Sequence, residues 1–116
     1  MPRREWKFFV EDMIEAIERI LKYTLDMDYE QFSADTKTVD AVVRNFEILG
    51  EAAGNVPLEI QKSHYEIPWS KIRGMRNLLT HEYFGVNDSI LWTTATVDIK
   101  SLVPLLKTIL GEATLP

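Results

Sequence analysis

The sequence predicts an all-α protein, an antiparallel up-and-down four-helix bundle with one extra short helix. Three observations carry that expectation. Apolar residues recur at intervals of three and four along nearly the whole chain, the spacing of one helix face. The interruptions are short and rich in helix-terminating residues, which favours antiparallel neighbours. No stretch alternates apolar and polar residues as a half-buried strand would.

The elements follow in order. Trp6, Phe9, Met13, Ile17, Ile20 and Leu21 form one face of a helix of about five turns, ended by Asp26-Met27-Asp28. Tyr29 and Phe32 sit in a polar connection and predict a short helical turn that caps the bundle. Val39, Val42, Val43, Phe46 and Leu49 define a second long helix with Ala52 and Ala53 near its end, stopped by Gly54-Asn55 and Pro57. Val56 to Ile67 reads as a loop with one helical turn after Pro57. Pro68-Trp69-Ser70 opens a third helix through Ile72, Met75, Leu78 and Leu79. Asn87 or Asp88 is the expected N-cap of a fourth, whose stripe is Trp92, Ala95, Ile99, Leu102, Leu106 and Leu110. Pro104 lies inside that stripe and must kink the helix or split it near Ser101, because it lacks an N–H and clashes with the preceding turn.

A chain of 116 residues without internal repeat or linker reads as a single domain spanning 1–116. Its 46% hydrophobic and 27% charged residues are those of a soluble globular protein. The absence of cysteine excludes disulfides, thiolate zinc sites and thiol nucleophiles. A net charge of −5 argues against nonspecific coating of nucleic acid but allows a small basic site. The basic start is interrupted by Lys7, Glu11 and Asp12 before any signal-like core forms. No apolar run approaches the roughly 18 residues of a membrane span. A cytoplasmic protein with no membrane partner is expected.

Two histidines differ in context. His64, in Lys62-Ser63-His64-Tyr65-Glu66, reads as a solvated loop residue. His81 closes the third helix, behind Lys71, Arg73 and Arg76 with no acid between them. That stretch could hold a phosphodiester, or its cations could pair with Glu47 and Glu51 of the second helix. At about 100° per residue, Arg76 and Tyr83 share a face, whereas His81 lies roughly 140° from Arg76. Convergence of the three therefore requires that the helix loosen between Thr80 and Tyr83, or that two chains build one cleft. No two histidines share a helical face, and no carboxylate set matches a calcium loop or zincin, so no metal is expected. The five glycines are scattered and form no phosphate loop, so no cofactor is expected either.

Arg76-Asn77-Leu78-Leu79-Thr80-His81-Glu82-Tyr83 resembles the R-x4-H-x-Y signature of HepT-like HEPN ribonuclease toxins. Asp12 to Ile17 and Arg44 to Ala53 resemble that family's first and second helices, and Ile67 to Ile72 and Tyr83 to Val86 the flanks of its motif. The resemblance implies an HEPN-like bundle that forms a homodimer, with two copies of the motif beside a shared cleft. It implies an endoribonuclease acting on RNA without metal, as the toxin of a toxin–antitoxin pair. Arg76 and His81 are then catalytic, and Arg73, Asn77 and Tyr83 position the substrate. The implied partner is a minimal nucleotidyltransferase antitoxin of the MntA type, which silences the toxin by adding AMP to the motif tyrosine, here Tyr83. The residue types suit the chemistry. A histidine exchanges protons near neutral pH, and an arginine forks onto two phosphate oxygens of the transition state. The alternative is a noncatalytic helical subunit that binds RNA or nucleotide for a nucleotidyltransferase.

Overall fold

The computed structural model describes the backbone of residues 5–82 and 88–114, with side chains for all of these except 76–82, 88 and 112–114. Every regular element among the described residues is helical. Helix α1 (Trp6–Tyr23) buries Val10, Met13, Ile14, Ala16, Ile17 and Ile20 on one stripe. It stops at Thr24, whose buried hydroxyl donates to the Ile20 carbonyl at 2.9 Å, and the chain turns through Asp26, which adopts φ 63°. Aspartate tolerates this left-handed conformation better than most residues.

Asp28 then starts α2 (Tyr29–Ala34) with a capping box: it accepts from the Gln31 backbone while the Gln31 side chain accepts from the Asp28 N–H. This short helix exists to bury Phe32, which lies fully inside the core and meets Trp92 with ring centroids 5.1 Å apart. Asp35 caps α3 (Thr36–Gly54), accepting from the Thr38 N–H at 3.1 Å and the Thr38 hydroxyl at 2.9 Å. Both bonds favour the ionised carboxylate and hold the Asp35 pKa below its ordinary value, with the backbone bond the larger cause.

The predicted turn after Pro57 is α4 (Leu58–Ser63), and Pro68 precedes α5 (Trp69–Glu82). The fourth helix is split where Pro104 required. Helix α6 (Asp88–Thr93) passes into a π-helical turn, Thr94–Asp98, closed by the Ile99 N–H donating to the Thr94 carbonyl at 3.2 Å. A turn at 99–101 follows, and α7 (Leu102–Thr114) begins. Pro104 thus falls in the first turn of α7, where its missing N–H and fixed φ do no harm. Asp88 is the first residue of α6 rather than its cap, and Asn87 lies outside the described residues.

Helix α3 is the centre of the bundle, packed on α1 along one side and on α5 along the other, while α1 also packs on the π turn and α7. The order around the bundle is therefore α5, α3, α1 and the split fourth helix. Phe46, Met13, Ile17, Leu49 and Leu106 are among the largest side chains wholly removed from water, each stabilising the fold by roughly 1.5–3 kcal/mol. Asn45 interrupts this core: its amide donates to the Ala41 carbonyl at 2.9 Å, while its buried Oδ1 has no partner among the described residues. No described helix is long and apolar enough to cross a membrane.

Candidate active site

The motif helix α5 is anchored at its start. The indole N–H of Trp69 donates to the His64 carbonyl at 3.0 Å, and the Ile72 N–H reaches back to the Pro68 carbonyl at 3.0 Å. Trp69 and Ile72 are buried, whereas Ser70, Lys71, Arg73 and Gly74 are exposed. The stem of Arg73 lies over the end of α3, its Cδ 3.7 Å from the point where a Cβ on Gly54 would stand. A Cβ there would stand in ordinary van der Waals contact with that stem, so the end of α3 lies close under α5.

From this anchor the backbone runs as one α-helix through Glu82. Arg76, Asn77 and His81 all lie on it; their side chains, and Tyr83 altogether, lie outside the described residues. The helical register still constrains them. Arg73, Arg76 and Asn77 are three and four residues apart and occupy neighbouring positions on one face. The position of His81 is nine residues from buried Ile72, which places it on the opposite side of the helix. Of the two routes to convergence, loosening of the helix does not occur before Glu82. Arg76 and His81 therefore remain roughly 140° apart.

Lys71 and Arg73 make no ion pair or hydrogen bond among the described residues. The expectation that these cations could instead pair with Glu47 and Glu51 does not hold for them, and Glu47 has Arg44 on its own helix at 4.0 Å. Lys71 and Arg73, without an ion pair among the described residues, leave the start of the motif helix locally positive in an acidic protein. Among the described residues no group of three or more histidines, cysteines or acids could hold a metal ion.

His64 requires a correction. It is not a solvated loop residue: its side chain is only 14% exposed, with Nδ1 3.7 Å from Glu66 Oε1. The polar composition of its neighbours concealed this, because the turn after α4 folds inward to meet Trp69.

One side of α5 faces away from α3. Between α5 and the split fourth helix lies a groove of about 580 Å³, lined by Ile72, Met75, Ile90, Thr94, Ile99 and Leu102. Ile90 is 60% exposed at its rim.

Residues 13–109 match the family described as ribonuclease HepT-like. A protein of Thermococcus cleftensis named a probable ribonuclease HepT is 45% identical over 86% of this chain and 91% of its own. A protein of Methanocaldococcus jannaschii that carries an RNase name is 34% identical over 97% of this chain and 96% of its own. Another with an RNase name, from Caldanaerobacter subterraneus, is 38% identical over 90% of this chain and 93% of its own. No solved structure matches the chain. With the family match extending over most of the bundle, the chain belongs to the HepT-like ribonuclease family.

Proposed function

We propose that this protein is a metal-independent endoribonuclease toxin acting in the cytoplasm, in which Arg76 and His81 promote attack of an RNA 2′-OH on its own phosphodiester. The observation that carries the reading is the unbroken helix from Trp69 to Glu82, which keeps the arginine and histidine of the motif on different sides of α5 within a family of ribonucleases. One helix alone would then present them poorly to a single phosphate. A homodimer with two α5 helices beside one cleft would let Arg76 of one chain act with His81 of the other.

In that cleft the histidine exchanges the proton of the nucleophile or leaving group, and the arginine stabilises charge developing on the phosphorane. Arg73, Asn77 and Tyr83 position the strand. A cognate minimal nucleotidyltransferase silences the enzyme by transferring AMP from ATP to the Tyr83 hydroxyl, with release of pyrophosphate. The added phosphodiester carries about one negative charge and competes with RNA for Arg76.

The test uses the purified chain, single-stranded RNA and EDTA. His81→Ala and Arg76→Ala should each lower cleavage by about 10²–10⁴-fold while circular dichroism and melting stay near those of the parent. Unchanged cleavage in either variant contradicts the roles assigned, and loss of parent activity in EDTA contradicts the metal-free chemistry. Intact-mass analysis after incubation with the antitoxin and ATP should show AMP on the parent and none on Tyr83→Phe.

A further inference from the structure

We infer that the cleft between α4 and the start of α5 is a second binding site for single-stranded RNA, in which Tyr65 stacks on a base and Lys62, Lys71 and Arg73 hold the flanking phosphates. The inference rests on the RNA-cleaving reading above and extends it to a surface that adjoins the motif at Arg73.

The cleft is shallow and open, with a volume of about 480 Å³, and is lined by Leu58 and Lys62 of α4, by Tyr65, and by Ser70, Lys71 and Arg73 of α5. All three cations are exposed, and none has an ion pair or hydrogen bond among the described residues. Their concentration on one surface of a chain with net charge −5 suits a polyanion. Of the nearby acids, Glu66 lies 3.7 Å from His64 Nδ1, and neither it nor Glu59 lines the cleft.

Tyr65 is 85% exposed and Leu58 59% exposed, so neither contributes much to the core. An exposed ring beside free cations is the arrangement that binds unpaired nucleotides, because every base has a face to stack and every nucleotide a phosphate to neutralise. The backbone that presents them is fixed. Buried Gln61 donates to the Val56 carbonyl at 2.8 Å and the Ala53 carbonyl at 3.4 Å, tying α4 to the end of α3, and the bond from Trp69 to the His64 carbonyl pins the following turn. A preformed surface loses little freedom on binding. Arg73 and His81 are eight residues apart on one continuous helix, roughly 12 Å along its axis. One strand can follow α5 from the motif to this cleft.

The experiment measures binding by the full chain of a fluorescent single-stranded 2′-O-methyl RNA, which cannot be cleaved through its own 2′-OH, across a series of salt concentrations. Tyr65→Ala should weaken binding roughly tenfold without altering the melting temperature, and Tyr65→Trp should restore it. Lys62→Gln should flatten the dependence of log K on log salt by about 0.7, one phosphate contact on a single strand. Parent-like binding by Tyr65→Ala and Lys62→Gln overturns the inference, as does failure of the parent to bind the RNA. If Tyr65 governs binding but the parent cleaves no natural RNA, the cleft stands and the ribonuclease reading falls.

Discussion

The two sides of α3 and the two sides of α5 are built differently. Along α3, side chains close both seams: Met13, Ile17, Phe46 and Leu49 are all but absent from the surface, and the Arg73 stem of α5 lies over Gly54. Along α5, only the α3 side is closed. Its other side borders a groove in which Met75 is half-buried and Ile90 stands largely in water. The difference teaches that α5 is held from one side and offered from the other.

That contrast makes graded predictions. Phe46→Ala should destabilise the protein by about 3–5 kcal/mol, read by urea denaturation, because α1 and α3 interlock too tightly to collapse around the void. Met75→Ala, at the groove, should cost less than about 2 kcal/mol; equal losses would mean that the groove is as closely packed as the core. Ile90→Asp should change the stability of the folded chain by no more than about 0.5 kcal/mol. If a second copy covers the groove, light scattering should nevertheless show this variant shifted toward a single 13.4 kDa chain. A dimer unaffected by Ile90→Asp would place the partner on another face.

The smallest effect belongs to pH. Asp35 ionises more readily in the folded chain than its ordinary value of 3.8, chiefly through the Thr38 N–H. Its capping contribution is therefore fully present above that ordinary value and lost as pH falls through the lowered folded value. Asp35→Asn keeps an acceptor but does not titrate, so its melting temperature should fall less steeply over that acid range. Parallel acid profiles would show that the cap does not report on folding.

Much of this architecture was legible in the residues. Period and breakers anticipated α1, the Phe32 turn and α3, and Pro104 anticipated the split of the fourth helix, because each signal acts within a few residues of its effect. His64 was not legible: its immediate neighbours are polar, whereas the turn that carries it is tied to Trp69, five residues on, through the His64 carbonyl. Nor was the α4–α5 cleft. Lys62 and Arg73 are eleven residues apart, and a turn rather than a periodic face brings them together. The positions of Arg76 and His81 could be read from their spacing, but not whether the helix would persist between them. Persistence depends on backbone hydrogen bonding, which α5 maintains to Glu82.

The central claim is that one cleavage site takes Arg76 from one chain and His81 from another. The direct measurement mixes the two inactive variants, Arg76→Ala and His81→Ala, under conditions that exchange subunits, and follows RNA cleavage. In a symmetric dimer, half of the random pairs would be mixed and each mixed pair would keep one of two sites intact, so activity should return to about a quarter of the parent level. No recovery in a mixture shown by mass to contain the mixed dimer would contradict the shared site.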